Sequence, residues 1–370
     1  MLSASSRDRD TKLNRDTKPD TKSDTKPWSW RVSPDALIAK IAEGYREWVP
    51  APALGIDVDE IRTALAVAAQ RRAPWLLHPM VCAIALKHNP GNPIARDFQL
   101  VVWLAAHNAL SGRWIEAPEP LWIWSPGGSL RIEAGRHDLP QLGQAVMQSP
   151  SPGPVTLDVW CHTLGAPVHG SWAALPQPLL DQQQNDLERD LISFFRAWSL
   201  FGQLLPDCAD WVGNATHVII PLQSCDAEQF RSCSAPDLPG LVELDLFGGD
   251  MQILEALVHE TSHHYLYRAE AASPLVDAGH NELYRSPLRP EPRPLRGILM
   301  AWHALAFIAV LYREAAERGL RAQAASHELA HVLTLLDQAG DVLSAAQGGF
   351  TPAGDEFYQR TRAVAAYAHG

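Results

Sequence analysis

MQILEALVHETSHHYLYRAE, running from Met251 to Glu270, is the stretch on which the reading of this chain turns. Its apolar residues Ile253, Leu254, Leu257, Val258, Tyr265 and Leu266 recur at the i, i+3, i+4, i+7 spacing of a half-buried helix. On such a helix His259 and His263 stand one turn apart on a common face, and Glu260 projects from the adjacent stripe. Two neutral imidazole nitrogens pointing the same way supply half of a tetrahedral or facial metal site. A carboxylate beside them can work on a bound water or on a ligand's far nitrogen.

The five-residue pattern His-Glu-x-x-His occurs again at His327, Glu328 and His331. With 15 histidines in 370 residues a chance repeat is no surprise, so context has to separate the two. From Ser326 to Gly340 the second copy reads as an ordinary amphipathic helix with Leu329, Val332, Leu333, Leu335 and Leu336 turned inward and Gly340 as its stop. It has no third ligand nearby in sequence.

Working outward, the remainder after residue 250 reads as nearly all helix. The uncharged run between Arg296 and Arg313 is shorter than the ~20 residues a membrane span needs, and reads as a buried helix. Upstream, residues 118–249 turn toward short strands: Leu121 to Trp124, Ser129 to Glu133, Val155 to Val159, Ala215 to Pro221 and Leu241 to Leu246, with a helix from about Gln184 to Phe201 between them. Residues 28–117 are helical, in stretches opening at Pro34, at Asp57 and at Phe98. Residues 1–27 carry four Asp-Thr-Lys copies, at Asp10, Asp16, Asp20 and Asp24, and are expected to form a disordered tail. The expected fold is α+β, with a helical N-terminal part, a central short-stranded region and a mostly helical metal-binding part at 250–370.

Composition excludes several functions. A hydrophobic content of 46% and a charged content of 20% belong to a globular chain, and a net charge of -11 with no dense Lys/Arg block disfavours nucleic acid. Cys82, Cys161, Cys208, Cys225 and Cys233 are odd in number and show no CxxC pair, so reduced thiols and a cytoplasmic setting are expected. Cys225 and Cys233 read as inert thiols for want of a basic neighbourhood. The polar start carries no apolar secretory segment, and no membrane association is expected. The 13 tryptophans could line a peptide-holding groove, although packing in a core is the commoner use of such rings.

Two histidines need a third ligand, and Asp277, His280, Glu282 and His303 are the candidates. Glu282 follows Asn281 at the spacing of zinc aminopeptidases and defines one reading: a zinc peptidase with His259, His263 and Glu282 as ligands and Glu260 as general base. Pro and Gly between Ser273 and Pro287 break the second helix that such an enzyme requires. His303 lies in the apolar run Ile298 to Phe307, where the bland reading is a core histidine bonded to a backbone carbonyl.

The stretches Ser262 to Leu266, Pro274 to Asp277, Tyr284 to Leu295, Gly297 and Trp302-His303-Ala304, with Ser232 to Gly240 upstream and Phe350 to Gly354 downstream, resemble the HExxH-type peptide-modification family. Its members are 2-oxoglutarate-dependent, non-haem iron hydroxylases of ribosomally synthesised peptides, and the likeness spans roughly the C-terminal 150 residues. The resemblance implies a facial site of His259, His263 and His303 on iron(II), with 2-oxoglutarate and oxygen in the remaining positions. It also implies β-carbon hydroxylation of a precursor peptide and a co-encoded peptide maturase as partner. This chain departs from the family where about one extra turn, Met300 to Trp302, precedes the third histidine.

Imidazoles suit iron(II) and zinc alike. A 2-oxoglutarate site also needs a cation for the distal carboxylate, for which Arg289 and Arg293 are the candidates; each reads equally as a surface arginine at a turn. In an iron oxygenase Glu260 would orient a ligand or bond the substrate instead of serving as a base. A non-enzymatic reading remains beside these two: a structural metal site in a peptide-binding scaffold.

Overall fold

A computed structural model of the chain describes residues 26–47, 57–77, 79–85, 93–110, 114–125, 128–148, 158–159, 177–222, 231–246 and 248–370. The Asp-Thr-Lys repeats up to Asp24, Trp48, Trp160, Cys161, Cys225 and most of the expected strand at 155–159 lie outside them. In chain order the helices are α1 (Asp35–Glu47), α2 (Val58–Gln70), α3 (Pro79–Ala85) and α4 (Pro93–Ala106), followed by strands β1 (Trp114–Ala117), β2 (Leu121–Ser125), β3 (Gly128–Ile132) and β4 (Gly135–Asp138). Helix α5 (Leu139–Gln148) and strand β5 (Asp158–Val159) lead to α6 (Gln177–Leu204) and α7 (Pro206–Gly213), then to β6 (Val218–Leu222), β7 (Ser232–Ser234) and β8 (Leu241–Asp245). The chain closes with α8 (Asp250–Ala272), β9 (Leu283–Tyr284), β10 (Arg293–Pro294), α9 (Leu295–Glu317), α10 (Ala322–Ala345) and α11 (Pro352–His369). The fold is α+β, with small sheets and a helix-rich C-terminal half.

Two hydrophobic clusters organise the molecule. One gathers α1 to α5 with β1 to β3 around Ile41, Ile61, Leu65, Phe98 and Ile123. The larger joins α6 and α7, the inner strands and α8 to α11 around Trp211, Tyr265 and Phe307. Trp28 and Trp30, on the short turn that precedes α1, belong to this second cluster, where Trp28 meets Trp211 at 5.5 Å and Trp30 meets Tyr265 at 5.6 Å between ring centroids. Most of the tryptophans whose burial is described thus serve the core, as their ring size favours.

The half that carries α8 is held by one central sheet of order β5-β6-β8-β7, in which β5, β6 and β8 run parallel and β7 is antiparallel on the edge. Every residue of β8 is buried, as a strand covered on both faces should be. Helix α8 packs over β7 and β8 and against α9, and its buried Ile253, Leu254, Leu257, Val258, Tyr265 and Leu266 are the periodic apolar set of the sequence. Each such side chain contributes about 1.5–3 kcal/mol when fully buried.

Helix α9 is the one described helix long and apolar enough to cross a membrane, yet 89% of its most apolar window is buried among α8, α10 and α11. It is a core helix. Between α8 and α9 the Pro- and Gly-punctuated segment forms no helix, only the β9–β10 hairpin with Tyr284 opposite Arg293. Helix α10 corrects one expectation, since it does not stop at Gly340 but continues to Ala345. A Cβ at Gly340 would stand 3.2 Å from the Trp302 indole nitrogen, so this glycine lets α10 approach α9 closely and does not end the helix.

Candidate metal centre

Asp250 opens α8 and Gly249 caps it, with the Gly249 N–H donating to the Gln252 side chain at 3.0 Å. Two turns later His259 and His263 emerge on one face with ring centroids 4.5 Å apart. The potential ligand atoms of His259, Glu260 and His263 lie within 4.8 Å of one another. Among the described residues no other set of three His, Cys, Asp or Glu side chains converges in this way.

Both oxygens of the Glu260 carboxylate are engaged. Ser232 Oγ donates to one oxygen at 2.7 Å, Ser234 Oγ to the other at 2.5 Å, and His263 Nδ1 stands 3.3 Å from that second oxygen. Strand alternation explains the pair of serines: in β7, Ser232 and Ser234 share a face while Cys233 takes the other, and pairing with β8 turns that face toward α8. Burial by itself would raise the Glu260 carboxyl, but the His263 hydrogen bond, the two imidazoles and Ser234 outweigh it and hold the group well below the usual carboxylate range. With its Nδ1–H given to Glu260, His263 keeps its Nε2 lone pair free. Burial, then the neighbouring His263, pushes His259 down to about 4, so it is neutral at neutral pH.

His303 lies outside this cluster. Its ring, without solvent exposure, is enclosed by Trp30 at 4.8 Å, Phe357 at 4.7 Å and Phe307 at 5.1 Å. Nδ1 meets Thr361 Oγ1 at 3.0 Å, and Nε2 is buried without a hydrogen-bond partner. When Nδ1 donates to Thr361, Nε2 carries the lone pair, which is the ligand form of imidazole. Burial, then the neighbouring His263, lowers the His303 pKa well below its ordinary value, so this ring is neutral at neutral pH.

The other candidates stand apart. Asp277 is exposed and accepts from the Gly279 N–H at 2.7 Å. His280 Nε2 and Tyr284 Oη are 2.7 Å apart, and Tyr284 donates to the exposed Glu282 at 2.8 Å, so Glu282 is tied into the hairpin. Arg289 is exposed on the loop before β10, and Arg293 lies along Gly297, its Nε 3.4 Å from where a Cβ would stand. The second motif faces solvent: His327 and His331 are exposed on α10, and His327 meets only its neighbour Glu328 at 3.4 Å among the described residues.

Sequence reasoning did not find Ser232 and Ser234 as partners of Glu260, or Thr361 as the partner of His303. The alternating Ser-Cys-Ser was the one local signal for the first. It also missed Arg296, whose Nε and Nη2 donate to the two oxygens of Glu270 at 2.6 and 2.7 Å. No family model matches the chain, and no curated protein matches it.

Proposed function

We propose that the chain is an iron(II)- and 2-oxoglutarate-dependent oxygenase that hydroxylates a side-chain β-carbon of a ribosomally synthesised precursor peptide in the cytoplasm. His259, His263 and His303 would hold the iron. The observation that carries this reading is the engagement of both Glu260 oxygens by Ser232, Ser234 and His263. A carboxylate held on both oxygens and against His263 is placed to orient an imidazole, a different part from the general base that a zinc peptidase requires. The exposed position of Glu282 speaks against that peptidase as well.

The donor set fits a divalent transition metal. Two half-buried imidazoles share one helix face, and a third imidazole one helix away has a buried Nε2 without a partner, which would gain free energy by ligation. With iron(II) bound, the site would support transfer of one atom of dioxygen to the substrate C–H and of the other to 2-oxoglutarate, which leaves as succinate and carbon dioxide. The protein's part is positional. Glu260 sets the orientation of His263, the β7 serines fix Glu260, Thr361 sets the tautomer of His303, and Trp30, Phe307 and Phe357 keep water from its ring.

The test is anaerobic reconstitution of the full chain with iron(II), followed by exposure to oxygen, 2-oxoglutarate and the short peptides encoded beside the gene. The expected result is succinate release together with a peptide heavier by one oxygen atom. Zinc retained on purification together with peptide cleavage would overturn the proposal, as would the absence of succinate with every such peptide.

A further inference from the structure

Two buried polar atoms without a hydrogen-bond partner among the described residues stand on neighbouring rings. One is Nε1 of Trp30 and the other Nε2 of His303, and the two ring centroids are 4.8 Å apart at an interplanar angle of 55°. Both side chains are buried. An indole Nε1–H can only donate, and a His303 ring that gives its Nδ1–H to Thr361 can only accept at Nε2. Leaving either atom unmet in an apolar enclosure is costly.

The surroundings narrow what can meet them. The other rings around Trp30 belong to Tyr265, Phe307 and Phe357, at 5.6, 5.7 and 5.4 Å between centroids. The phenylalanines offer no acceptor, and the Tyr265 hydroxyl is given to the Trp211 carbonyl at 3.0 Å. Trp28, two residues away on the same turn before α1, differs: its Nε1–H donates to the Glu314 carboxylate at 3.0 Å. Trp30 thus brings an unspent donor to the wall of the His303 site. A metal ion on Nε2 satisfies the imidazole and leaves the indole unmet, whereas an anion alone does the reverse. A metal ion with an anion beside it satisfies both. The charge pattern agrees, since imidazoles add no negative charge to a divalent ion and the Arg360 guanidinium stands 5.2 Å from the Trp30 ring centroid.

We infer that Trp30 is the hydrogen-bond donor to a small anion that joins the metal ion held by His303. The indole Nε1–H positions that anion without touching the metal, as outer partners do. The inference rests on the metal-binding reading of His303 above and extends the site to the N-terminal side of the described chain.

The test loads the full-length protein with cobalt(II), whose visible spectrum reports its ligands, and titrates it with azide. The wild type is expected to bind azide. Trp30→Phe removes the N–H and keeps an aromatic ring, and should weaken azide by about tenfold or more with cobalt affinity held within about twofold. Trp28→Phe is the control, because it removes the same volume from the same cluster and breaks the bond to Glu314. It should lower the unfolding temperature and leave azide unchanged. If circular dichroism finds Trp30→Phe unfolded, Arg360→Gln decides: losing this half-exposed cation should weaken azide about twofold, and an unchanged affinity refutes the inference. The inference is also overturned if Trp30→Phe binds azide as the wild type does, if it loses cobalt affinity along with azide, if Trp28→Phe weakens azide equally, or if the wild type takes cobalt but no azide. Those outcomes leave the oxygenase reading standing, whereas a wild type that takes no cobalt sinks both.

Discussion

Thr361→Val separates a metal-binding His303 from a core histidine. Thr361 is fully buried on α11, and its hydroxyl is the one hydrogen-bond partner found for the His303 ring among the described residues. Valine has nearly the same shape, so the substitution removes a hydroxyl without opening a cavity. Without its ligand the variant leaves a buried N–H unpaired and should lose about 1–3 kcal/mol of stability. If His303 is a ligand, the same change also frees its tautomer and ring orientation, and loss of such an outer partner costs about 10- to 100-fold in metal affinity, or about 1.4–2.7 kcal/mol. The two effects are read separately, by thermal unfolding of chelator-treated protein and by competition titration of iron(II) or cobalt(II) against a chelator. Thr361→Ser, which restores the hydroxyl, should restore affinity. A lower unfolding temperature with an unchanged metal Kd would refute the reasoning and return His303 to the core as a packing residue.

Three further outcomes are expected. Glu260→Gln should keep the metal with about tenfold weaker affinity and still turn over 2-oxoglutarate, because Glu260 orients His263; loss of all turnover with normal metal content would make Glu260 an essential base. His327→Ala and His331→Ala, both exposed, should leave the metal-to-protein ratio unchanged by elemental analysis, and a ratio that falls by half would reveal a second site. Acid should destabilise the metal-free protein through His217 and His264, which burial and then Arg268 push down from 6.5 to about 3. Their folded pKa values lie below the unfolded ones, so the unfolded state takes up protons first; stability is full above about pH 6.5 and falls as pH drops toward 3. At about 1.4 kcal/mol per pH unit for each group, the pair loses about 4 kcal/mol by pH 5, to be read from urea unfolding across that range. A flat profile there would contradict it.

The C-terminal helices were legible because their information is local. The apolar periodicity of α8 and the unbroken apolar run of α9 report burial directly, and the Pro/Gly segment between them correctly foretold an interrupted chain. What was not legible depends on partners distant in sequence. Pairing Val218 with Leu241, and Ser234 with Val242, sets a mixed sheet order that no strand announces by itself, and only that order aims the β7 serines at Glu260. The enclosure of His303 draws Trp30 from one end of the chain and Phe357 and Thr361 from the other. Gly340 misled because a glycine admitting a close neighbour and a glycine ending a helix look alike until the neighbour, here Trp302, is known.

His264 carries the same lesson into the motif itself. It adjoins His263 and could pass for a ligand by residue type, yet it lies on the adjacent stripe of α8, one turn after Glu260, and is fully buried. There its Nδ1 accepts from the Gly240 N–H at 3.2 Å and its Nε2 donates to the Leu241 carbonyl at 3.1 Å. The Gly240 backbone reaches it at φ +84, a conformation that side-chain-bearing residues rarely adopt, with the His217 ring so close that a Cβ would stand 2.6 Å from it. Both nitrogens of His264 are therefore spent on backbone, where its neighbour His263 keeps one free. The two copies of His-Glu-x-x-His differ for the same reason: α8 packs against β7, β8 and α9, so that His263 meets Glu260 held by the β7 serines, whereas His327 and His331 are exposed. Whether an imidazole in this fold is left able to ligate depends on what stands opposite each nitrogen, and the five-residue spacing alone does not decide it.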